Sequence, residues 1–133
     1  MLTNIFGGTT PPPPPPGNDF YENTNNVTIS SGSPSTVSST IGVSRTGNSN
    51  TIRIRADIKH TWRGDLIVKI YAPNGANGTV HAQTNTNDSG DDLVLNKTFN
   101  ASTIQSNGTW RLEVQDTANQ DGGYIDSWSI AFE

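Results

Sequence analysis

The amino-acid sequence predicts an all-β fold: a jelly-roll-like antiparallel β-sandwich of about eight strands. Three observations predict it. Apolar residues recur with period two in several separate segments, and no segment shows helical periodicity. Gly, Asn, Asp and Pro separate those segments at short intervals, as turns do. The chain has 133 residues, of which 31% are hydrophobic, enough for one domain around one modest core.

The elements follow in order. Residues 1–19 read as a Pro-rich linker, with Gly7-Gly8-Thr9-Thr10 ahead of Pro11 to Pro16. Consecutive prolines have φ fixed and no N–H to donate, so they adopt polyproline II, here a stiff rod of roughly 19 Å. Such a rod spaces two bodies, so the chain reads as a fragment of a longer protein with a domain ahead of the rod. Residues 20–133 read as the sandwich. Thr51 to Ile58 alternates without a break, with Ile52, Ile54, Ala56 and Ile58 on one face and Arg53, Arg55 and Asp57 on the other. Leu66, Val68 and Ile70 alternate likewise until Pro73-Asn74-Gly75 turns the chain. Trp110, Leu112 and Val114 form a third such row, and Trp128, Ile130 and Phe132 a fourth. Weaker strands are predicted over Val27–Ile29, Val37–Val43, Thr79–Gln83 and Leu93–Phe99.

Composition excludes several functions. The net charge is −4 with only 15% charged residues, whereas a nucleic-acid binder carries a basic patch. No apolar run is long enough to span a bilayer. The absence of cysteine excludes disulfides, a thiol nucleophile and a thiolate zinc site. The only histidines are His60 and His81, which argues against a transition-metal cluster. Neither a His-Glu-x-x-His nor a Gly-x-Ser-x-Gly sequence is present, so no catalytic residue is assigned. Oxygen ligands are plentiful, and a metal held by them would be calcium.

Four motifs stand out. The first is His60-Thr61-Trp62-Arg63-Gly64-Asp65-Leu66, between two strong strands, where Gly64 is read as supplying a backbone geometry closed to other residues. Its Arg63-Gly64-Asp65 tripeptide is read as a strand start with Asp65 turned inward. The second is Ala72-Pro73-Asn74-Gly75. The third runs from Gly108 through Trp110, Leu112 and Val114 to Asp116. The fourth runs from Asp121 through Gly123, Ile125 and Trp128 to Phe132.

In this order the motifs resemble the P domain, or homo B domain, of proprotein convertases and related bacterial subtilisin-like proteases. The resemblance covers roughly residues 26–133, with Ala72 where the family usually has Ser. It implies a non-catalytic jelly-roll module, C-terminal to a serine or metalloprotease catalytic domain of the same secreted parent chain. Such a module stabilises or tethers the enzyme and influences its calcium dependence. The chain is expected to be a monomer, extracellular, with no nucleic-acid or membrane partner and with protein substrate as a further contact.

Calcium candidates are Asp65, Asp116 and Asp121, with a second acidic cluster at Asp88, Asp91 and Asp92. Asp116 and Asp121 lie five apart in a Gly/Asn-containing loop, and clustered carboxylates repel unless a cation neutralises them. The alternative is that these aspartates cap turns. His60 is read as a local hydrogen-bonding residue at a strand end. Trp62, between strands, is the candidate exposed aromatic. It motivates a second reading of the chain as a module of an extracellular hydrolase that binds fibrous protein or polysaccharide.

Overall fold

The structure, a computed structural model, describes residues 19–30, 35–83, 90–118 and 122–133. Nine strands account for most of them: β1 (Phe20–Asn23), β2 (Val27–Ile29), β3 (Ser35–Val43), β4 (Asn48–His60), β5 (Leu66–Tyr71), β6 (Asn77–His81), β7 (Leu93–Gln105), β8 (Gly108–Asp116) and β9 (Gly123–Phe132). One 3-10 turn, Arg63–Asp65, joins β4 to β5.

The strands make two antiparallel sheets. One has the order β1-β9-β4-β7, with β2 also paired to β9, and the other β3-β8-β5-β6. β1 pairs with the end of β9 and β2 with its start, so they behave as one interrupted strand. The interruption has a local cause, because the Asn23 side chain accepts the Asn25 N–H at 2.8 Å and turns the backbone out of the ladder. Counted that way, first pairs with last, β3 with β8, β4 with β7 and β5 with β6. This nested pairing of eight strands is a jelly roll.

The core lies between the sheets. Ile52, Ile54, Ala56 and Ile58 of β4 are buried, facing Val68, Ile70, Leu112, Val114 and Trp110 of the other sheet. The inward row of β9 is Ile125, Trp128, Ile130 and Phe132, and Trp110 meets Phe132 edge-on at 5.9 Å between ring centroids. Every period-two row expected to be buried is buried.

β3, β4 and β9 begin earlier than the rows read from the sequence, at Ser35, Asn48 and Gly123, and three further elements differ from expectation. β1 has no counterpart in the sequence reading. β6 begins two residues early, at Asn77, because Ala72 N–H bonds Ala76 O at 2.8 Å and closes the preceding turn there. β7 continues past Phe99 to Gln105 as an edge strand, paired on one side only. The Pro-rich segment lies outside the described residues. Asp19, the first described residue, is tied to the sandwich: its carbonyl accepts the Phe132 N–H at 2.8 Å and its carboxylate meets Arg45 Nε at 2.8 Å.

Candidate functional site at the His60 end of the sandwich

β4, β5, β8 and β9 bring most of the motif residues to one end of the molecule. β4 delivers His60 from one sheet, and β8 delivers Asp116 from the other. Their side chains are fully buried, and His60 Nε2 meets Asp116 Oδ2 at 2.9 Å. His60 Nδ1 accepts the Trp62 N–H at 3.0 Å. An Nδ1 that accepts places the ring proton on Nε2, so Nε2–H donates to the carboxylate. The other oxygen, Asp116 Oδ1, accepts the Ala118 N–H at 3.1 Å.

The surrounding loops close on this pair. His60 and Asp92 exchange two hydrogen bonds: His60 N–H to Asp92 Oδ1 at 2.9 Å, and Asp92 N–H to His60 O at 2.9 Å. Thr117 donates both its N–H (3.0 Å) and its hydroxyl (2.8 Å) to Asp65 O. Arg63 N–H bonds Gly90 O at 3.0 Å, and the Arg63 guanidinium packs where a Gly90 side chain would sit. Gly123 of β9 presses on β4, and a Cβ there would overlap the Lys59 carbonyl oxygen.

At this end Asp92 and Asp116 bond His60, and Asp65 is tied through its carbonyl to Thr117, next to Asp116. Asp65 and Asp116 are buried, Asp92 is half-buried and Asp91 is exposed. Asp88 and Asp121 lie outside the described residues. Among the described residues, no three His, Asp or Glu side chains converge as a metal site. Both oxygens of Asp116 serve protein N–H donors, which commits this carboxylate to the sandwich, and one oxygen of Asp92 serves the His60 N–H. Both nitrogens of His60 are likewise engaged, which leaves the ring without a position for base catalysis or metal ligation. His81 sits apart, on β6 opposite Val68.

Two readings of the first motif change. Gly64 is buried in the 3-10 turn, and among the described residues the glycines that take positive φ are Gly47, Gly75 and Gly108. At Gly108, φ is +130° and a Cβ would sit 2.7 Å from the Pro73 ring, so the second and third motifs pack together at the opposite end. Trp62 is half-buried rather than exposed. The sequence reading missed two polar hubs. Ser39 Oγ accepts from Trp128 Nε1 at 2.9 Å and Asn23 Nδ2 at 3.0 Å. Ser106 takes the Trp110 Nε1–H on its carbonyl at 2.9 Å and donates its hydroxyl to Gly47 O at 2.7 Å. The Trp-x-aliphatic strands were the visible signal, since a buried indole needs an acceptor.

The motif residues form the ends and seams of one sandwich, in the order of the resemblance. The proprotein convertase P-domain family matches residues 49–132. The chain belongs to that family. P domains are accessory domains of proteases. Leupeptin-inactivating enzyme 1 of Streptomyces exfoliatus is 46% identical over 114 residues, covering 84% of this chain and 26% of that protein. A transglutaminase-activating metalloprotease of Streptomyces mobaraensis is 38% identical over 113 residues, covering 84% of this chain and 15% of that protein. The P domain thus spans about a quarter and about a seventh of these relatives. Among solved structures, a serine protease of Aeromonas sobria superposes with a TM-score of 0.56 at 17% identity, covering 92% of this chain and 28% of that one. An infectious bursal disease virus structure reaches 0.52 at 13% identity, which shows that the fold alone carries no function.

Proposed function

We propose that this P domain is a non-catalytic C-terminal module of a secreted bacterial endopeptidase, serine or metallo, and that it stabilises or tethers the catalytic domain. The observation that carries this reading is the match to the P-domain family and, over most of the chain, to a small part of much longer proteins, one of them named a metalloprotease. The His60 end supports it, because its polar groups are spent on joining the two sheets rather than turned to solvent. Calcium stays within the proposal through the other candidate aspartates, Asp65, Asp88, Asp91, Asp92 and Asp121, since the oxygens of Asp116 already serve protein donors.

The test compares the full-length protease with a form lacking residues 19–133. Loss of thermal stability, secretion yield or substrate range on deletion supports the proposal. A deletion that leaves all three unchanged overturns it.

A further inference from the structure

The outer face of the five-stranded sheet is built unlike a plain solvated face. Residues paired across an antiparallel sheet share a face, so the register defines its surface. Past Tyr124, which pairs with Lys59, the central strand β9 presents a row of small side chains there, Ser127, Ser129 and Ala131, opposite Asp57, Arg55 and Arg53 of β4. Tall side chains flank this low row: Phe20 and Glu22 from β1 on one side, and β4 and then β7 on the other. The result is a trough of ≈ 350 Å³ floored by Ser127 and Ser129.

Two further observations fall on the same face. Phe20 (36% exposed) and Val94 (82%) are the exposed large hydrophobics among the described residues, and the register places both here. They stand at opposite corners, three strands and four residues apart, roughly 19 Å on the diagonal. The charges between them are unevenly satisfied. Arg53 is held by Glu133 at 2.7 Å and Asn96 at 2.6 Å, and Asp57 by Lys59 at 3.2 Å. Arg55, in the middle of the row, is exposed and has no ion-pair partner among the described residues, nor does Glu22 across the trough. An apolar pair bracketing an unmatched guanidinium suits a carboxylate flanked by apolar side chains.

The course of the chain selects the partner. Asp19 is pinned by Arg45 and Phe132, so the first described residue lies beside Phe20, on the rim of the trough. A body attached upstream is held at this face at a high effective concentration, which a free partner or a second copy is not. We infer that the outer face of the five-stranded sheet is the docking face for the catalytic domain of the same polypeptide. That domain sets a carboxylate against Arg55 and apolar side chains on Phe20 and Val94. This inference rests on the accessory-domain reading above and adds the face and its chemistry.

The chain has no cysteine, so a single thiol can report on each face. Val94→Cys reports on the proposed face, and Ser38→Cys on the exposed outer face of the other sheet. Labelling by a maleimide is followed by peptide mass spectrometry in the full-length protease and in the 133-residue chain, whose core is closed within itself. The docked face is expected to label about tenfold more slowly in the full-length protein, as for a surface open a tenth of the time. Ser38→Cys is expected to label alike in both. Adding Arg55→Glu to Val94→Cys restores fast labelling without changing the melting temperature of the 133-residue chain. Equal labelling of Val94→Cys in both proteins overturns the inference. If deletion of residues 19–133 still destabilises the protease in that case, the accessory role stands and only this face falls. Slowing that grows with concentration of the 133-residue chain alone means a second copy covers the face, which also overturns it.

Discussion

His60 and Asp116 stand 56 residues apart and belong to opposite sheets, yet His60 Nε2 donates to Asp116 Oδ2 at 2.9 Å with both side chains fully buried. The bond is a polar rivet through the end of a hydrophobic sandwich. Removing one partner leaves the other buried without its bond, which costs about 3–5 kcal/mol when the survivor is a charge. His60→Ala is therefore expected to lower the unfolding free energy by ~3 kcal/mol in urea titrations. A loss below ~1 kcal/mol would mean that water or a neighbour replaces the ring.

Ser39 makes a second tie between the sheets. From β3 its hydroxyl accepts Trp128 Nε1 of β9 and Asn23 Nδ2 of β1. In Ser39→Ala the buried indole N–H loses its acceptor, at about 1–3 kcal/mol. Trp128 fluorescence in the folded state should shift as well. Wild-type stability together with an unshifted spectrum would remove Ser39 from the account.

Gly123 lets β9 approach β4 at the His60 end. A methyl there meets backbone rather than a flexible side chain, so Gly123→Ala has no inexpensive relief. It is expected to cost more than ~2 kcal/mol, in the range of overpacked sites. Gly42→Ala is the control, with nothing within 4 Å of its Cβ, and surface changes of that kind stay within about 0.5 kcal/mol. Similar melting temperatures for the two variants would contradict the packing argument.

Lys97 pairs with Ile54 and so projects from β7 on the core side, yet its Nζ reaches the Thr79 carbonyl of β6 at 3.1 Å and lies 5.5 Å over Phe99. It bridges the open side of the sandwich, beside a pocket of ≈ 150 Å³ lined in part by Ile52, Ile70 and Trp110. A charge turned inward beside an edge strand opposes edge-to-edge pairing. Lys97→Leu should fold and then self-associate with rising concentration in sedimentation. A variant that remains monomeric would show that the edge is protected by other means.

Much of this fold was legible in the sequence where one face of a strand is buried and the other is wet. Ile52 to Ile58 alternates because β4 lies mid-sheet, covered on one side only. β1 was illegible because its pattern is inverted: Phe20 faces outward, while Asn23 faces in and bonds Ser39. The far half of β7 was illegible because an edge strand has little to bury, and Lys97 breaks the apolar row. At the candidate site the motif residues could be named, but not their partners. No spacing along the chain announces that His60 meets Asp116 across two sheets, or that Asp92 closes on the His60 backbone. Of the aspartates read as calcium candidates, Asp116 and Asp92 accept N–H donors, Asp65 is buried and Asp91 is exposed.

The most direct test of that claim is thermal and urea unfolding of wild type and Asp116→Asn, each in excess calcium and in excess EDTA. A carboxylate committed to His60 and Ala118 loses the same free energy in both media when it is replaced. The account predicts equal losses, whatever calcium does to the wild type through other residues. A loss larger in calcium than in EDTA by about 1.4 kcal/mol or more, a tenfold change in the linked equilibrium, would make Asp116 a calcium ligand and contradict it.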